Sequence, residues 1–179
     1  ASFSTDFYLG SEDTEDGVAD DSVMATYSFQ IDLNTSFTGE DSLDISLDAG
    51  NSGAAGTAMF DGNGGGDELT VDGVAYTFPV GGATVFVGDN SDGSALYTTA
   101  CVYGGPSNTL DDCANVNAGF TGGDVAAGAS YDFGNGFTAA TGLQTSNTGV
   151  LTEESLDSYG LNAAYTGSNY GLSLTYGIT

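Results

Sequence analysis

The side chains able to do chemistry in this chain are almost all carboxylates. There are 25 Asp plus Glu among 179 residues, and no Lys, Arg or His. Ordinary domains carry about a quarter charged residues of both signs, so the loss of every base is a selected property or a sampled one. Without His or Lys, serine triads and Schiff-base chemistry are excluded. Paired carboxylates of the glycosidase kind remain. However, Asp44 and Asp48 repeat along one strand face with no aromatic platform beside them, and the chain is not read as an enzyme. Nucleic acid is excluded as a partner, because no cation is present to displace phosphate counterions. Anionic headgroups are unfavourable for the same reason. Inorganic cations and protons are the natural partners. An acidic, salt-adapted secreted surface accounts for the same composition. So does a core resistant to trypsin, since no cleavage site exists.

Three groups of residues carry specific expectations. Asp32, Asp44, Asp48 and Asp132 fall on the polar side of alternating segments. If the apolar side meets lipid, they line a lumen with no compensating base and select cations, as acidic rings do in channels. If it does not, they are the solvent side of a soluble sheet. Asp61-Gly62-Asn63-Gly64-Gly65-Gly66-Asp67-Glu68-Leu69 matches one copy of a calcium nonapeptide pattern. It also partly matches a Ca²⁺ loop spaced Asp61, Asn63, Asp67, Asp72, since calcium takes oxygens from side chains and carbonyls. Such nonapeptide sites are built by stacked repeats, and a flexible Gly-rich loop is the better explanation of the single copy. Cys101 and Cys113 are the only cysteines. An oxidising setting favours a disulfide between them, closing a loop of about a dozen residues worth roughly 3 kcal/mol in the chain-entropy model.

Strands must position these groups. Twenty-nine glycines, ten Tyr and ten Phe, with no run of 18 apolar residues, favour short strands and tight turns over helices. Residues alternate with a period of two, which puts neighbouring side chains on opposite faces. Ser22 to Gly39 shows it best: Ala25, Tyr27, Phe29, Ile31 and Leu33 lie on one face, Thr26, Ser28, Gln30, Asp32 and Asn34 on the other. The same pattern predicts strands at Ala1–Gly10, Ser42–Ala49, Asp67–Val80, Ala83–Gly88, Asp124–Asn135 and Phe137–Gln144. Two more form a final hairpin, Ser158–Thr179, turning at Thr166-Gly167-Ser168-Asn169. Gly134-Asn135-Gly136 is a hairpin turn. Acidic Ser11–Asp21, Gly-rich Gly50–Gly66 and Asp89–Gly123 read as loops, the last either at the surface or folded inward as a constriction. The expectation is one all-β domain over residues 1–179, an antiparallel meander or up-and-down β-barrel of about eight to ten strands. The first residue already lies in an alternating strand, so the chain reads as a mature or trimmed product.

Thr35-Ser36-Phe37-Thr38-Gly39-Glu40-Asp41-Ser42-Leu43, then Ala49-Gly50-Asn51, resembles the TSFTG segment of the cyanobacterial outer-membrane porins, and Gly73-Val74-Ala75-Tyr76-Thr77-Phe78-Pro79-Val80-Gly81 resembles their YTFPVG strand. Cys101–Cys113, Asn115–Ala118 and Ala127–Phe137 are similar to marine picocyanobacterial members. The resemblance covers most of the chain from about residue 23. It implies a β-barrel in the outer membrane, trimeric, passing small solutes and inorganic ions. Full members also carry a surface-layer-homology domain and a coiled coil, neither of which appears in these residues, and a longer barrel. Glu40 stands where that family's pattern leads one to expect Lys. About nine strands is odd, whereas bacterial single-chain barrels close with an even number. The alternative is an acidic extracellular β-protein that assembles into a polymer by strand pairing, bridged by cations. Both readings make the chain a homo-oligomer.

Overall fold

A computed structural model describes residues 1–11, 23–51, 66–100, 123–146, 149 and 157–178. They form nine strands: β1 (Ser2–Gly10), β2 (Met24–Thr35), β3 (Ser42–Gly50), β4 (Thr70–Val80), β5 (Ala83–Ser91), β6 (Gly123–Gly134), β7 (Phe137–Thr145), β8 (Asp157–Thr166) and β9 (Gly171–Ile178). All nine belong to one sheet in the order β1-β2-β3-β4-β5-β6-β7-β8-β9, so each strand pairs with its neighbours in sequence. No helix occurs among the described residues. The all-β, up-and-down expectation is therefore met, strand for strand. Among the described residues, β1 and β9 are the two ends of the strand order and no pairing between them closes the sheet into a barrel.

Turn chemistry explains the tight connections. Gly134, Asn135 and Gly136 take φ of 80°, 55° and 86° between β6 and β7. Glycine enters this left-handed region without a Cβ penalty, and Asn tolerates it. Gly136 is needed twice over, because an added Cβ would overlap the Thr166 carbonyl. That approach lets the Thr166 amide donate to the Gly136 carbonyl at 2.8 Å. Between β4 and β5, Gly81 takes φ of 61°.

The described residues fall into two compact units, one containing those of Ala1–Leu33 and Ile45–Asp72, the other those of Asn34–Asp44, Gly73–Tyr103 and Cys113–Thr179. In the first, Phe3, Phe7 and Leu9 pair in register with Ile31, Tyr27 and Ala25, while Ser2, Ser4 and Asp6 pair with Asp32, Gln30 and Ser28. One face is thus apolar and the other polar. The apolar face is not covered: Phe7 is 81 % exposed and Leu9 76 %.

The second unit shows the same inversion. Leu172, Leu174, Tyr176 and Ile178 are all exposed, as are Phe133, Phe137 and Leu161. What is buried is small or polar: Ala126, Ala140 and Ala164 with Gln144, Thr145 and Asn162, and one large ring, Phe86 at 1 %. A water-soluble sheet packs its large apolar side chains inward. Here the sides are exchanged. Glycines stand in register across four strands, Gly128 opposite Gly142, Gly142 opposite Gly160, and Gly160 opposite Gly177, and the first of them makes room for Phe86. Phe86 is the register partner of Gly128, and a Cβ there would meet its ring at 2.5 Å.

Candidate functional site

The polar face differs between the two units. In the first it is acidic. Asp32 on β2 accepts hydrogen bonds from Gln30 Nε2 at 2.7 Å, Ser2 Oγ at 3.1 Å and Ser46 Oγ at 3.1 Å. Asp48 on β3 accepts from Thr70 Oγ1 at 2.7 Å. Asp72, two residues along β4 from Thr70, lies within electrostatic reach of both Asp48 and Asp32. The strand period puts three carboxylates from three consecutive strands on one face, with no Lys, Arg or His anywhere to neutralise them. Neutral donors replace bases here. Hydroxyl and amide groups hold Asp32 in place without cancelling its charge.

The other predicted acids are placed differently. Asp44, in the second unit, accepts from Asn34 Nδ2 and Ser42 Oγ, both at 2.6 Å. Asp132 is exposed and caps the β6–β7 turn, accepting from the Gly134 amide at 2.7 Å. The structure therefore groups Asp32, Asp48 and Asp72 and leaves Asp132 at a turn. Of the calcium-loop residues, Asp61 and Asn63 lie outside the described residues. Asp67 takes φ of 69°, accepts from the Tyr27 hydroxyl at 2.8 Å and donates its amide to the Gly50 carbonyl at 3.2 Å. Its carboxylate is thus engaged in tying the start of β4 to β2. Among the described residues no three Asp, Glu, His or Cys groups converge closely enough to hold a metal ion. Cys101 and Cys113 also lie outside the described residues.

In the second unit the polar face of β7, β8 and β9 is neutral and covered. Residues 92–100, between β5 and the cysteine region, lie across β7, β8 and β9. The segment begins with a turn in which Asp92 Oδ1 accepts from the Ser94 amide at 2.9 Å and its hydroxyl at 2.8 Å. The Gly93 amide then donates to Gln144 Oε1 at 3.1 Å. Asn162 grips Thr98 on both sides, accepting its amide at 3.0 Å and donating to its carbonyl at 3.1 Å. The Ala100 amide donates to Ser173 Oγ at 3.0 Å. Each of these bonds joins a sheet side chain to segment main chain, so they satisfy backbone groups that a loop on a sheet would otherwise leave unpaired. The glycine row makes room: a Cβ at Gly142 would overlap the Gly93 carbonyl oxygen. Residues 92–100 thus lie on the polar side of β7, β8 and β9, and residues 101–122 of this region lie outside the described residues.

Asp41 is a functional group that the sequence reading passed over. It is 8 % exposed. Its Oδ1 accepts from Ser36 Oγ at 2.5 Å, the Phe37 amide at 3.1 Å, and the Thr38 amide and hydroxyl at 2.8 Å. Its Oδ2 accepts from the Tyr76 hydroxyl at 2.5 Å. The Ser36 and Tyr76 hydroxyls, with the Thr38 amide, hold this carboxyl far below the usual carboxylate range. The signal was present in Ser36-Phe37-Thr38-Gly39-Glu40-Asp41, a hydroxyl-rich turn closed by an acid.

Aromatic rings gather at one end of the second unit. Tyr131 stacks edge-on with Phe133 at 4.9 Å, Phe137 meets Tyr165 at 4.7 Å, and Tyr165 meets Tyr170 at 5.6 Å, all beside the β6–β7 and β8–β9 turns. Phe37, Tyr76 and Phe78 form a second chain at 6.0 and 5.3 Å. In an up-and-down sheet these turns share one end.

No family model, curated protein or solved structure matches this chain.

Proposed function

We propose that the chain is part of the wall of a porin-like outer-membrane channel that passes inorganic cations and small solutes. The observation that carries this reading is the inversion of faces in both units: large apolar side chains exposed, small and polar ones inside. Three further features support it. The strands run 8 to 12 residues, near the about 9–11 needed to cross a bilayer when tilted. The aromatic chains lie at one strand end, as in the girdles of membrane barrels. The group of Asp32, Asp48 and Asp72 gives the polar side a negative potential that draws cations and repels anions. Residues 92–100 lie on the polar side of the other unit. The sequence segments similar to cyanobacterial porins point the same way. In this reading the chain works as a homo-oligomer, trimeric as those porins are. Reversal potentials across a planar bilayer under a salt gradient test it; anion preference, or no channels, overturns it.

A second reading is favoured by one observation, the unclosed strand order with β1 and β9 at its ends. Unpaired edges are templates for another chain. In this reading the protein is an acidic extracellular structural subunit that polymerises by strand pairing. Electron microscopy of purified protein, with and without chelator, separates the two: filaments support the polymer, membrane-embedded particles the channel.

A further inference from the structure

The two end strands of the sheet differ in what their outer edges present. Among the described residues β9 pairs on one side only, with β8, in an unbroken register from Tyr159 opposite Ile178 to Thr166 opposite Gly171. Its other side is a row of main-chain donors and acceptors, which an extended segment of another chain satisfies. Edge strands are ordinarily blunted by charges, proline or a bulge. β9 has none of these. Gly171-Leu172-Ser173-Leu174-Thr175-Tyr176-Gly177-Ile178 holds no Asp, Glu or Pro, and neither do the β8 residues paired with it, Tyr159 to Thr166. In a chain of net charge −25, two copies can meet here without setting carboxylate against carboxylate. β1 is different. Pairing Ser2–Gly10 with itself over its full length sets Asp6 opposite Asp6, and like charges directly opposite are destabilising. Ser2 at its start also donates to Asp32 of the acidic face.

The pattern of β9 is self-complementary. Opposed residues must point to the same face of the sheet, so a two-fold antiparallel pairing is centred on a residue. Centred on Leu174, it sets Leu174 against Leu174, Leu172 against Tyr176, Ser173 against Thr175 and Gly171 against Gly177 of the second copy. The apolar pairs share one face, on which Leu174 is 73 % exposed, and the hydroxyl pair shares the other. Pairs of these kinds are the stabilising units of an antiparallel sheet. The two-fold axis stands normal to the sheet, so the apolar face continues unbroken from one copy to the next.

We propose that the free edge of β9 docks a second copy of this chain, strand against strand and antiparallel, about this two-fold axis. The proposal rests on the strand-pairing reading above and names its edge, partner and symmetry. Both copies are acidic, so repulsion between their bodies opposes the seam and salt screens it. The contact tightens as salt rises, the reverse of an ion-paired interface.

The test uses the full chain in a non-ionic detergent that covers the apolar face, which removes face-to-face stacking. Sedimentation equilibrium reads the dimer across a sodium chloride series, and electron microscopy reads filaments. The expected result is a wild-type dimer that tightens with salt. Leu174→Glu sets Glu opposite Glu and weakens it roughly tenfold, with the monomer's melting temperature unchanged. Mixing Leu174→Glu with Leu174→Lys restores the dimer. If dimers or filaments persist undiminished in Leu174→Glu, or the mixture regains nothing, the seam is not centred on Leu174 and the proposal fails while the strand-pairing reading stands. A dimer that loosens as salt rises overturns the proposal in the same way. If the wild type is monomeric at every salt concentration and forms no filaments, both fall.

Discussion

The polar faces of the two units solve the same problem in opposite ways. In the first unit, Asp32 and Asp48 are held by neutral donors. In the second, Gln144 and Asn162 are about 5 % and 4 % exposed and hold the main chain of residues 92–100. One face is an electrostatic surface and the other a packed one. The lesson is that a polar sheet face carries no single meaning. Acids without bases cannot form ion pairs and must stay solvated, meet cations or, like Asp41, collect neutral donors. Amides and glycines can be covered, because each donor and acceptor finds a partner. Mutations should therefore move selectivity in one unit and stability in the other.

The largest effect on stability is expected from Gly142→Val, which forces a side chain against the Gly93 carbonyl. Overpacking of this kind costs about 1–3 kcal/mol. Because residues 92–100 are the part able to leave, chymotrypsin cleavage after Leu96 or Tyr97 should accelerate alongside the fall in melting temperature. Unchanged cleavage would mean the segment is not seated on the glycine row. Asn162→Ala comes next, since it removes both bonds to Thr98 and leaves the Thr98 main chain to find other partners, a loss of about 1–3 kcal/mol. Its effect on cation preference should be small, which is the sharper half of the prediction.

Asp41 supplies a pH test. Its folded-state affinity for protons lies below the unfolded value of about 3.9, so its stabilising contribution is fully present above that pH and is lost as pH falls through and below it. Acidification also discharges the other carboxylates and relieves their mutual repulsion, an opposing trend shared by wild type and mutant. The comparison to make is thus wild type against Asp41→Asn in chemical denaturation. The gap should be largest near neutral pH and narrow steadily below about pH 4; a gap constant with pH would remove Asp41 from the account. Smallest in stability is Asp32→Asn/Asp48→Asn. Removing like charges relieves repulsion but weakens the bonds these carboxylates accept from Gln30, Ser2, Ser46 and Thr70, so the melting temperature should change little while the cation preference drops. A marked loss of stability with unchanged selectivity would reverse the roles assigned to the two faces.

Much of this architecture was legible because a period of two survives any tertiary context. Residues 25, 27, 29 and 31 alternate with 26, 28, 30 and 32, and the register partners of β1 keep that division. Gly134-Asn135-Gly136 announced its turn by chemistry alone. The end of β5 did not: Asp89-Asn90-Ser91 reads as loop, yet the strand runs to Ser91, with Asn90 at φ of 49° and the Ser91 hydroxyl donating to the Asp89 and Val74 carbonyls. The cover over the second polar face was beyond local reading for a physical reason. Its bonds join residues 51, 64 and 73 positions apart, and they recognise main chain, which leaves no mark on the segment's own side chains. The glycines did leave a mark, one inside each of β6, β7, β8 and β9, but their common row appears only once register is known. Asp132 shares its face with the lumen candidates by period, yet a glycine two residues on draws its carboxylate into a turn. Closure of the sheet belongs to long-range pairing, about which alternation is silent.

The central claim is that uncompensated carboxylates on the polar face of an inverted sheet conduct cations. Reversal potential in a planar bilayer under a potassium chloride gradient reads this directly, with Asp32→Asn/Asp48→Asn beside the wild type. The account predicts a potential displaced toward the potassium equilibrium value, and a displacement reduced in the double mutant. A wild-type potential on the chloride side of zero would contradict it.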